Sequence, residues 1–272
     1  MPAPPATAVP TAASAPLPPG PLAVYYGPPT PAALGALRAH DRVVVQAGLY
    51  RPEDLRSLRR TVRVLGYLSV GEDHPLGEWP CVPGSAAYHL QVNPAWGSVT
   101  VDVGHPQWQQ VLLERAAQAL AHTDGLLLDT LDSADPTGTL ALIRTLRAHW
   151  PRATLTGNRG FGLLPELAPL LDGVLFEAFS TTHSPSPTLH PPDGMAYTAH
   201  WLRELRRYGL PVDALDYADT PELAAAAHAR AAAHGLNTFV TDRTLSWPAD
   251  PCAPEPPNPV VLPGGPPCSY QP

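Results

Sequence analysis

Residues 124–132 read Asp124-Gly125-Leu126-Leu127-Leu128-Asp129-Thr130-Leu131-Asp132. A short, nearly continuous apolar run bounded by Gly and acids is the pattern of a parallel strand buried on both faces. The same pattern recurs on either side. The other strand candidates are Leu22–Gly27, Arg42–Gly48, Val62–Val70, Ala153–Gly157, Gly173–Phe179, Val212–Tyr217 and Thr238–Asp242. Amphipathic stretches lie between them, most clearly His105–His122, Thr137–Trp150, Met195–Tyr208 and Thr220–His234. Thr220-Pro221-Glu222 supplies an N-cap, Pro at the first helical position and an acid in the first turn. Gly209 and Gly235 stand just past two helix ends. Eight strands alternating with helices predict a (β/α)8 TIM barrel. An open doubly wound sheet is the competing arrangement, but the first strand-to-helix turn has no GxGxxG. No eighth helix is evident.

Composition frames this core. The chain has 272 residues and 37 Pro, against a usual share of roughly 5%. Pro is dense in residues 1–21 and 248–272, which read as Pro-rich tails around a barrel spanning 22–247. Segment 1–21 has neither a basic nor an apolar signal region. It resembles the Ala/Pro linker that follows a cleaved signal, so an extracytoplasmic location and a cytoplasmic tail both stay open. No apolar run reaches the roughly 18 residues of a membrane span.

All 17 basic residues are Arg. Schiff-base aldolases, pyridoxal-phosphate enzymes and P-loop nucleotidases each need a lysine and are excluded. A net charge of −7 without a basic run argues against nucleic acid. Cys81, Cys252 and Cys268 form no CxxC; a Cys252–Cys268 pair and three free thiols are both open. The 11 histidines form no HxH or HExxH, so no metal site and no cofactor is implied.

Chemistry in such a barrel collects at the C-terminal strand ends. These carry Glu72-Asp73, Asp129, Asp132, Asn158, Glu177, Asp216-Tyr217 and Asp242-Arg243. An acid inside an apolar strand is costly to bury unless it is paired or working. Asp129 follows three leucines and Glu177 follows Val174-Leu175-Phe176, so the two suggest a facing pair. Paired carboxylates suit glycoside hydrolysis, one as acid and the other as nucleophile or base. Residues 72–101 form a long stretch with no clear regular structure, a mark of a functional loop. It carries Trp79 and Trp96, whose faces suit a sugar ring or a cationic amine.

In order, Gly66-Tyr67-Leu68-Ser69-Val70-Gly71-Glu72, Asp124–Asp132, Asn158, Glu177, Asp216-Tyr217 and Thr241-Asp242-Arg243 resemble glycoside hydrolase family 114, the endo-alpha-1,4-polygalactosaminidases and their relatives. The resemblance spans about residues 22–245. It implies a (β/α)8 barrel and a retaining mechanism on alpha-1,4-linked galactosamine polymers. By position it implies Glu177 as nucleophile and Asp129 as acid/base, with Asp132 the competing acid on that strand. It also implies that Tyr67, Glu72, Asn158, Asp216, Tyr217, Asp242 and Arg243 shape the sugar subsites. An acidic groove of Glu72, Asp73, Asp132, Asp216 and Asp242 would draw in a cationic polysaccharide, unless some of these acids pair with arginines. A non-catalytic carbohydrate-binding barrel and a glycosidase for another alpha-glycan are the competing functions.

Overall fold

The computed structural model describes residues 20–74 and 82–250. Trp79, the three cysteines and most of the two tails lie outside them. Eight strands run parallel in chain order: β1 Leu22–Tyr25, β2 Arg42–Val45, β3 Arg63–Ser69, β4 Gly125–Asp129, β5 Thr154–Asn158, β6 Gly173–Glu177, β7 Val212–Tyr217 and β8 Asn237–Thr241. This is a nearly closed (β/α)8 barrel. Among the described residues seven α-helices lie around it: α1 Pro31–Leu37, α2 Pro52–Leu58, α3 Pro106–Leu120, α4 Pro136–His149, α5 Leu164–Leu167, α6 Pro192–Arg207 and α7 Pro221–Ala233. Among the described residues no helix follows β8. The three helices that the sequence pattern did not single out, α1, α2 and α5, have only 7, 7 and 4 residues. That is too short to display an amphipathic period.

The helices explain the proline in the middle of the chain. Each of the seven has Pro in its first two positions, where the missing N–H is no loss and φ is already helical. Thr30, Asp135 and Thr220 add side-chain caps, accepting from Ala33, Gly138 and Leu223 N–H. α6 starts at Pro192, three residues before the expected Met195, because the Pro191-Pro192 pair opens the helix rather than preceding it.

Within the barrel, side chains alternate between the interior and the helix layer. Leu65, Leu127, Leu175 and Leu215 share one buried cluster with residues of β1 and β2. Their neighbours Leu126, Leu128, Val174 and Phe176 belong to the cluster packed under the helices. No ladder joins β8 to β1 among the described residues, and two clamps hold that seam instead. Near the C-terminal strand ends, Tyr26 N–H donates to Leu245 O at 2.8 Å. At the opposite end, Arg42 of β2 forms a buried two-pronged pair with Asp213 of β7, at 2.5 and 2.7 Å.

The long segment after β3 has regular structure after all. Glu72–Asp73, His89–Asn93 and Ser98–Val101 form a three-stranded antiparallel sheet over the barrel mouth. Strands of 2, 5 and 4 residues, one of them exposed along most of its length, leave little hydrophobic periodicity to read.

Candidate active site

A cleft of about 620 Å³ opens at the C-terminal strand ends. Five adjacent strands build its centre. The Asn158 amide (β5) donates to Asp129 Oδ1 at 2.8 Å on one side and to Glu177 Oε2 at 2.5 Å on the other. Tyr67 (β3) donates to Asp129 Oδ2 at 2.8 Å, and Tyr217 (β7) donates to Glu177 Oε1 at 2.6 Å. Both oxygens of both carboxylates are therefore held by neutral donors. Because one nitrogen reaches both acids, Asp129 Oδ1 and Glu177 Oε2 cannot be farther apart than the sum of its two bond lengths. That limit lies below the roughly 6.5–9.5 Å of an inverting glycosidase pair.

Burial first, and then the charge of Glu177, pushes the Asp129 carboxyl up to about 6. The hydrogen bonds from Asn158, Thr130 and Tyr67 oppose that rise. Burial and the neighbouring acids raise the Tyr67 and Tyr217 phenols well above their ordinary range, which keeps them protonated as donors.

The backbone holds this geometry under strain. Asp129, Asn158 and Glu177 each end a strand, and each is followed by a non-glycine residue in the left-handed region: Thr130 (φ 59), Arg159 (φ 56) and Ala178 (φ 55). Such conformations persist where surrounding structure enforces them. The Thr130 hydroxyl accepts from Val70 N–H at 3.1 Å and Gly71 N–H at 2.8 Å, which ties β3 to β4. Gly71 is required there, since a Cβ would lie 2.4 Å from Thr130 O.

The expected site residues divide by where their side chains go. Tyr67, Glu72, Trp96, Asp129, Asp132, Asn158, Glu177, Tyr217 and Arg243 line the cleft. Glu72 is buried, accepting from the Asn93 amide and the Ser98 hydroxyl. The Arg243 guanidinium lies 5.0 Å from the centre of the Trp96 ring. Asp132 accepts from Gly160 N–H at 3.3 Å. Asp216 and Asp242 are not among the cleft-lining residues. Asp216 alternates with Tyr217 on β7, so when Tyr217 points inward Asp216 points away from the cleft. It accepts from Ser180 and Thr181 N–H at 2.6 and 2.9 Å. Asp242 caps a turn, bonding Ser246 N–H and the Thr244 and Ser246 hydroxyls. Asp73 is paired with Arg115 and His89. The five-acid groove thus reduces to Glu72 and Asp132, joined by the central pair.

Among the further side chains that line the cleft without having stood out in the sequence are Tyr26, Gln46, His74 and His183. Tyr26 and Gln46 were readable only from strand parity. His183 lies beside the rings of Trp96 and Tyr217, at 5.4 and 5.7 Å. The three-stranded sheet and the loop after β6 bring those three together.

No protein-family model matches the chain, and no curated protein matches it either. Solved structures do. The glycoside hydrolase domain of PelA from Pseudomonas aeruginosa is 29% identical, with 84% of this chain and 96% of that one covered and a TM-score of 0.73. Ega3 from Aspergillus fumigatus, solved in complex with galactosamine, is 14% identical over 86% of this chain and 96% of that one, with a TM-score of 0.66. The alpha-galactosidase TtGalA from Thermus thermophilus is 14% identical over 85% of this chain and 58% of that one, with a TM-score of 0.55. The last two are likenesses of fold alone. The PelA domain and Ega3 bear out the resemblance read from the strand ends: the chain resembles glycoside hydrolase family 114.

Proposed function

We propose that the protein is a retaining glycoside hydrolase that cuts alpha-1,4-linked galactosamine-type exopolysaccharide. The observation that carries this reading is the Asp129–Glu177 pair, bridged by one amide nitrogen. Glu177 attacks the anomeric carbon and forms a glycosyl-enzyme. Asp129, with its raised pKa, gives its proton to the departing glycosidic oxygen. It then takes a proton from the water that releases the sugar. Tyr217 and Asn158 hold the two Glu177 oxygens, so the nucleophile is oriented before substrate arrives.

The charge of the cleft supports a cationic polymer. Besides the proton-donating Asp129, three acids line it, Glu72, Asp132 and Glu177, against two arginines, Arg159 and Arg243, so acids outnumber cations. The resulting negative field favours a chain of protonated amines. Such a polymer lies outside the cytoplasm, and the proposal puts the enzyme there with it. No helix among the described residues is long and apolar enough to cross a membrane.

Reducing-end release from an alpha-1,4-galactosamine polymer, with wild type beside Glu177→Gln, tests the reading. Release by wild type alone is expected. Equal release by both would remove Glu177 from the mechanism. Binding without release would favour a barrel that only holds the polymer. The rate should fall as pH rises through about 6, as Asp129 loses its proton.

A further inference from the structure

The site is built about a line through the barrel. Asn158 on β5 sits between the acids of β4 and β6, and these are flanked by the tyrosines of β3 and β7. In an eight-strand order, β1 lies opposite β5. The residue that follows β1 is Tyr26, which lines the cleft. Its ring meets Tyr67 edge-on at 4.8 Å, and its N–H is pinned to Leu245 O across the seam. Burial, and after it the charges of Asp129 and Glu177, raise the pKa of its phenol. Three tyrosines therefore surround the pair, and two of them spend their hydroxyls on it. The Tyr26 hydroxyl has no hydrogen-bond partner among the described residues. A polar group facing a cleft and left unspent by the fold is available to a ligand.

We infer that the Tyr26 hydroxyl hydrogen-bonds the sugar ring seated between Asp129, Glu177 and β1. This inference rests on the glycosidase reading and names a substrate contact within it. Held protonated beside two acids, the phenol donates to a ring hydroxyl or ring oxygen and neither supplies nor removes the reaction's proton. It positions the sugar from the side opposite Asn158.

A hydroxyl bonded only to substrate has a distinctive signature. Tyr26→Phe should lower kcat/KM on the galactosamine polymer about tenfold, the worth of one hydrogen bond, and leave Tm unchanged. Tyr217→Phe, which removes an internal bond to Glu177, should also shift the pH profile. An unchanged kcat/KM in Tyr26→Phe overturns the inference. So does a loss of activity accompanied by a lower Tm, since the hydroxyl would then be supporting the fold. Titration of a galactosamine oligosaccharide into Glu177→Gln, with and without Tyr26→Phe, should show the same tenfold difference. If wild type neither cuts the polymer nor binds the oligosaccharide, the glycosidase reading fails and the inference with it. If wild type is active and Tyr26→Phe equals it, the inference alone fails.

Discussion

The floor and the mouth of the barrel each bury acids, and they treat them in opposite ways. At the floor, Asp213 meets the Arg42 guanidinium with two hydrogen bonds, and the two side chains are 5% and 3% exposed. At the mouth, Asp129 and Glu177 meet phenols, the Asn158 amide and the Thr130 backbone, and neither is in an ion pair among the described residues. A cation at the mouth would settle the carboxylates and dull them as acid and nucleophile. Neutral donors orient them and leave their charge for the substrate. Asp213 thus serves the fold by bracing β2 to β7 across the unladdered seam, whereas stability is given up at the mouth for reactivity.

The sharpest break in this comparison is Glu177→Gln. It should lower turnover at least about a thousandfold while leaving thermal stability unchanged or higher, as read by a reducing-sugar assay beside a melt. The floor should behave in reverse. Arg42→Met strands a buried charge and should cost about 3–5 kcal/mol, seen as a lower urea midpoint, with activity per folded molecule preserved. Adding Asp213→Leu should recover most of that loss, because a buried pair exchanged for apolar groups is often nearly neutral. A double variant no more stable than the single would deny the pairing its role.

Asp129→Asn sharpens the contrast through pH. The folded-state pKa of Asp129 is raised, so its contribution to stability is fully present below its ordinary value of 3.8 and is lost as pH rises through about 6. The Asn variant should therefore match wild type near pH 3.5 and exceed it by about 1–3 kcal/mol at pH 8. Equal melting at both pH values would mean the acid is not destabilised by burial. The smallest effect belongs to Ala178→Gly. Relief of the left-handed strain should add about 1 kcal/mol, while a looser Glu177 lowers kcat. A loss of stability would show that the turn is not strained.

Much of this was legible along the chain. The runs that carry Asp129 and Glu177 and lead into Asn158 mark strands, although the expected Gly125–Leu131 and Gly173–Phe179 overrun the observed ends at Asp129 and Glu177 by two residues each, and alternation with helical patterns marks the barrel. Other parts were not. In Val212–Tyr217 the chain presents Asp213, Asp216 and Tyr217 together. Only the inward or outward direction of each separates a floor clamp, a loop anchor and a cleft donor. The strained turns hid because Thr130, Arg159 and Ala178 are not glycine. The hairpin over the mouth hid because its strands are too short and exposed to carry a period.

What the sequence determined by itself is local: where strands and helices run, since periodicity and helix-start chemistry act between near neighbours, and which strand ends carry acids. What only the tertiary structure decided is which of those acids has a cation. Arg42 and Asp213 are 171 positions apart, and their pairing exists only once the barrel closes. Barrel closure also brings one amide nitrogen between Asp129 and Glu177, which turns two separate strand ends into a single pair. A charge's fate depends on what stands within a few ångströms of it, and in a barrel those neighbours come from distant strands.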